Sequence, residues 1–94
     1  MKTLLITYDL VGTDATSANY QNLIAAIKGI GGWAKVQDSV WSVVTDQTPD
    51  QVFKQLTQHM HESDRLFVIR TRREASWRGS GQQVDDWLQA NLTD

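Results

Sequence analysis

Two stretches of this chain are apolar on successive residues, Leu4-Leu5-Ile6 and Leu66-Phe67-Val68-Ile69, and nothing else constrains the fold as strongly. Side chains alternate between the two faces of a strand, so a continuous apolar run demands burial on both sides of its sheet. What lies between the runs supplies one cover. Residues 10–18 form a loop rich in Gly, Thr, Ser and Asp, after which Tyr20, Leu23, Ile24 and Ile27 fall at i, i+3, i+4 and i+7. That spacing predicts a helix, stopped by Gly29, Gly31 and Gly32. Residues 33–37 and 39–45 read as two strands joined by a tight hairpin. Thr48-Pro49-Asp50-Gln51 predicts a second helix, with Thr as N-cap, Pro at the first helical position and Gln at the third. Its expected buried stripe is Val52, Phe53, Leu56 and Met60, and Asp64-Arg65 then opens a fourth strand over residues 66–71.

The resulting order, βαββαβ, predicts an α+β domain: a ferredoxin-like antiparallel sheet with both helices on one face. Two helices cover only one face, so the other has to meet the remaining residues, a second copy of the chain, or both. Residues 73–94 hold Trp77 and then Val84, Trp87, Leu88 and Leu92 along one side of a helix-like stretch. The chain thus divides into a core, residues 1–72, and a C-terminal extension, residues 73–94, within one domain.

Composition excludes several classes. Ninety-four residues bury about 60–65% of their unfolded surface, and 40% apolar content with four Trp is enough for a core. With no cysteine, a disulfide framework and a zinc–thiolate site are both ruled out. The apolar run after Met1-Lys2 is too short to span a membrane and has no small-residue cleavage site behind it, so a cytoplasmic protein is expected. A net charge of −2 argues against a generally basic nucleic-acid binder and leaves room for a local patch.

The candidate chemistry begins at Asp9. A carboxylate at a strand end beside a flexible loop suits a hard cation such as Mg²⁺ or Mn²⁺. One carboxylate is a poor site, but two facing each other across a dimer axis can hold a metal that activates water against a phosphodiester. The plainer alternative is a turn or helix-capping acid. Tyr8, its neighbour, points to the opposite face and is expected to pack.

The Tyr8-Asp9 strand end, the long helix and the turn Val36-Gln37-Asp38-Ser39-Val40-Trp41 resemble the small CRISPR-associated adaptation proteins, the second Cas family. The likeness is nearer to their free-standing SinR-like relatives, which share a superfamily with virulence-associated protein D, and it covers residues 1–72. It implies a homodimer that residues after the fourth strand help to build. It also implies Asp9 as metal ligand and catalytic residue of a metal-dependent endonuclease, and Ser39 as a hydroxyl near the dimer axis that bonds a phosphate or a metal-bound water. Alternatively, Ser39 satisfies its own backbone at the hairpin, and Asp38 is a turn residue. A non-enzymatic module that binds nucleic acid or protein, as an adaptation scaffold or a toxin–antitoxin component, is the competing reading.

The chain departs from the family pattern at the start of the first helix. Where the array-processing relatives carry a basic cluster, it has Ser17-Ala18-Asn19-Tyr20-Gln21-Asn22, and Lys28 is the one base before the glycines. Positive charge gathers instead at Arg65, Arg70, Arg72, Arg73 and Arg78, with Trp77 among them. Arg70 and Arg72 would share a strand face, as phosphate-gripping arginines do, and an interleaved aromatic suits single-stranded nucleic acid. Protection of a sheet edge explains the same charges.

Other uses of this element order leave signatures the chain lacks. Residues 39–45 have no basic-Gly-aromatic run of an RNA-recognition motif, and the loop over 10–18 has no arginine of an acylphosphatase type. His59 and His61 fall on nearly opposite sides of a helix end and do not make a metal pair. Asp85 and Asp86 suit the first turn of a last helix.

Overall fold

A computed structural model describes residues 1–72 and 74–92. The elements run β1 (Lys2–Asp9), α1 (Ala18–Lys28), β2 (Gly32–Gln37), β3 (Val40–Thr45), α2 (Pro49–Thr57), β4 (Arg65–Arg70) and α3 (Gln82–Leu92). The fold is α+β, with one four-stranded antiparallel sheet in the order β2-β3-β1-β4 and three helices. The pairs Leu5↔Ser42, Thr7↔Val40, Leu5↔Ile69 and Thr7↔Phe67 set the register.

Local chemistry accounts for the helix boundaries. Ser17 caps α1 by accepting the Tyr20 N–H at 3.2 Å. Thr48 and Gln51 form a reciprocal capping box at α2, each side chain accepting the other's backbone N–H, at 3.1 and 2.9 Å.

Register sorts the strand residues onto two faces. Leu4, Ile6 and Tyr8 of β1, with Trp41 and Val43 of β3, pack against Leu23 and Ile27 of α1 and Val52 and Leu56 of α2. This face is closed over β1 and β3 and opens only toward edge strand β2, where Trp33 is exposed. Each fully buried aliphatic side chain contributes about 1.5–3 kcal/mol of hydrophobic stabilisation. The expected stripe of α2 needs one correction. Phe53 is 41% exposed, because only Val52 and Leu56 point at the sheet, and Met60 packs from the turn after the helix has ended.

The opposite face is covered over half its width. Ala34 and Ser42 point away from α1 and α2 yet are buried, since α3 lies against β2 and seats Leu88 and Leu92 there. The Thr3 hydroxyl ties the helix to β1 by donating to the Asn91 carbonyl at 3.1 Å. Beyond α3, on the β1–β4 side, Phe67 is 60% and Ile69 43% exposed, beside a half-buried Leu5. The C-terminal extension therefore answers only part of the two-sided apolar pattern. No helix among the described residues is long and apolar enough to cross a membrane.

Candidate functional site

Asp9 ends β1 on the incompletely covered face, the face of Leu5, Phe67 and Ile69, and its side chain is exposed. Directly across from it on β4 stands Arg65. Tyr8 turns to the helix side, where it is buried and its hydroxyl accepts the Trp41 indole N–H at 3.1 Å. Burial pushes the phenol above its ordinary value, against the pull of that hydrogen bond, so Tyr8 stays neutral and packs.

Ser39 lies in the β2–β3 turn beside Asp38; the strand begins one residue later, at Val40. Its carbonyl accepts the Tyr8 N–H at 3.2 Å, which brings the turn to the strand end that carries Asp9. Asp9 and Ser39 thus occupy the same end of the sheet.

Of the arginine cluster, Arg65 stands at this end, whereas Arg70 and Arg72 do not. Arg70 pairs with Leu4, five residues from Asp9 along β1, a separation of about 17 Å at the rise of a strand. The strand stops at Arg70, so Arg72 follows in irregular chain rather than on a shared strand face. The two still meet at one groove of about 630 Å³ lined by Lys2, Thr3, Arg70, Thr71, Arg72 and Glu74, among others. Three cations against one carboxylate make it a net basic groove. Arg78 is exposed in the segment before α3, and Arg73 lies outside the described residues.

A carboxylate that the sequence presents only as a strand opener dominates the Asp9 end. One oxygen of Asp64 accepts the backbone N–H groups of Val11 and Gly12, both at 2.7 Å, and of Thr13 at 3.2 Å. Its other oxygen accepts the Thr13 hydroxyl and the His61 N–H, the latter at 2.9 Å. Desolvation pulls this carboxyl upward, but the hydrogen bonds from Thr13, Gly12, His61 and Val11 outweigh it and hold the group well below the ordinary carboxylate range. Gly12 is pressed so closely on His61 and Ser63 that a Cβ would stand 2.5 Å from the imidazole ring. The loop that leaves Asp9 is thereby fastened to the segment that enters Arg65. No local signal betrays this, because the partners are 51 to 53 residues apart.

Asp64 is consequently spent and is not available as a second ligand beside Asp9. Among the described residues no group of three or more His, Asp or Glu side chains converges on one point. The chain matches no protein-family model.

Proposed function

We propose that this chain forms a ferredoxin-like homodimer that binds nucleic acid and cleaves phosphodiesters, RNA in preference to DNA, with paired Asp9 carboxylates. One observation carries the reading. Asp9 stands on the same face as the exposed Phe67 and Ile69 and the half-buried Leu5, so a second copy that buries this apolar strip brings two carboxylates toward one boundary. The resemblance of residues 1–72 to CRISPR-associated and virulence-D proteins supports the same assembly.

Mg²⁺ or Mn²⁺ held there would supply Lewis-acid activation of water and charge neutralisation at the phosphate. Asp9 would hold the cation, and the Asp64 clamp keeps the loop behind Asp9 in place. Ser39 offers a hydroxyl at the same end, and the groove of Lys2, Arg70 and Arg72 grips the phosphate backbone at a distance from the reacting bond.

A second reading has its own observation: Arg65, directly across from Asp9, can neutralise the carboxylate and leave a binding module without catalysis. Asp9→Asn separates the two. The variant should fold and dimerise normally while losing Mg²⁺- or Mn²⁺-dependent cleavage of labelled RNA or DNA. If wild type cleaves neither with either ion, the enzyme is retired and the binding module stands. Salt-dependent binding lost in the Arg70→Gln/Arg72→Gln variant would still support that module.

A further inference from the structure

The opposite edge of the sheet carries a cluster that the Asp9 site does not use. Trp33, on edge strand β2, is 40% exposed, and its ring centre lies 5.4 Å from that of Trp41 at an interplanar angle of 56°. Trp41 is buried and anchored to Tyr8, so the exposed indole rests on a fixed partner. The Lys28 ammonium sits 4.9 Å from the Trp33 centroid, and that of Lys35 sits 5.7 Å from the Trp41 centroid. Neither lysine forms an ion pair among the described residues. The edge thus presents a positioned flat ring, half wet, between two uncompensated cations.

We propose that Trp33, Lys28 and Lys35 form a docking site for single-stranded nucleic acid, with a base stacked on Trp33 and the lysines on the flanking phosphates. The proposal rests on the nucleic-acid reading above and narrows it to unpaired strands. A ring selects for bases free to stack, and those in a duplex are already stacked on each other. The Lys28 contact is no obstacle. A cation–π contact at an exposed ring is weaker than base stacking, and the displaced ammonium gains a phosphate. An acidic peptide would satisfy the lysines and leave the ring unused.

Titration of the full chain into a fluorescein-labelled single-stranded RNA of mixed sequence, and into a duplex of equal length, tests this. Wild type should prefer the single strand, and Trp33→Leu should raise its Kd by about tenfold while leaving the duplex unchanged. Trp33→Phe, which keeps a ring, should retain most of the affinity. Lys28→Gln/Lys35→Gln should lower the salt slope of single-strand binding by about 1.4. This pair lies outside the core and keeps the test decisive if Trp33→Leu fails to fold. Single-strand affinity within twofold of wild type in Trp33→Leu, or an unchanged salt slope in the lysine pair, overturns the site. If Arg70→Gln/Arg72→Gln still abolishes binding in that case, the wider nucleic-acid reading survives it. Equal competition by poly-glutamate also overturns the site, since charge alone would then suffice. A wild type that binds no nucleic acid overturns both.

Discussion

The two faces of the sheet are built to different standards. On the helix side, Leu4, Ile6, Trp41 and Val43 meet Leu23, Ile27, Val52 and Leu56, and the polar groups of Tyr8, Trp41 and Thr45 are hydrogen-bonded. On the other side α3 covers only the β2–β3 half. Beneath it the Ser42 hydroxyl is buried without a hydrogen-bond partner among the described residues, as is one Asp85 carboxylate oxygen. The β1–β4 half keeps Phe67 and Ile69 in water. A buried, unsatisfied hydroxyl costs stability, and so does exposed aromatic surface. The difference is one of coverage: α1 and α2 close the core over one face, whereas α3 leaves Phe67, Ile69 and the Asp9 end of the other exposed.

Substitutions should break along the same line. Leu56→Ala, in the closed face, is expected to destabilise by about 2–5 kcal/mol in urea unfolding. Phe67→Ala, on the open strip, should cost the isolated chain less than about 1 kcal/mol. A comparable loss at both positions would erase the contrast. Asp64→Ala should cost about 1–3 kcal/mol through the orphaned N–H groups of Val11, Gly12 and Thr13.

Asp64 also sets a pH dependence. Its folded pKa lies below its unfolded value, so its stabilisation is complete above the unfolded value of about 3.9. That contribution declines as pH falls below this value toward the depressed folded one. Thermal melts from pH 5 to pH 2 should show a steeper loss for wild type than for Asp64→Asn. Equal slopes would remove the clamp from the account.

Smaller effects sharpen the comparison. Thr48→Ala should lose about 1 kcal/mol with the capping box. Ser42→Ala, under α3, should be neutral or stabilising by up to about 1 kcal/mol, because it removes an unpaired hydroxyl. A large loss there would show that the hydroxyl has a partner.

The closed face was legible from the sequence because its signals are local. The 3.6-residue spacing of Leu23 and Ile27 and the Thr48-Pro49-Gln51 start are read within a few positions of themselves. The two-sided runs at residues 4–6 and 66–69 also announced that α1 and α2 could not finish the burial. That α3 would cover Ser42 and leave Phe67 was not readable, because it depends on where the irregular segment after β4 turns back. Phe53 lies one position from Val52, about 100° further round the helix, and so falls outside the buried stripe. Asp64 reads as a strand opener, and its clamp on Gly12 has no local signature, since the contact joins segments about fifty residues apart. Arg70 and Arg72 looked like one strand face until β4 ended between them.

We propose that the strip of Leu5, Phe67 and Ile69 is an interface between two copies, and that Asp9 acts only through it. Light scattering at micromolar to millimolar concentration, on wild type and on Phe67→Lys/Ile69→Lys, addresses it most directly. The account predicts about twice the chain mass for wild type. It predicts a single-chain mass for the variant, with an unchanged far-ultraviolet circular dichroism spectrum. A wild type that stays a single chain at the highest concentration would contradict the interface and the shared Asp9 site together.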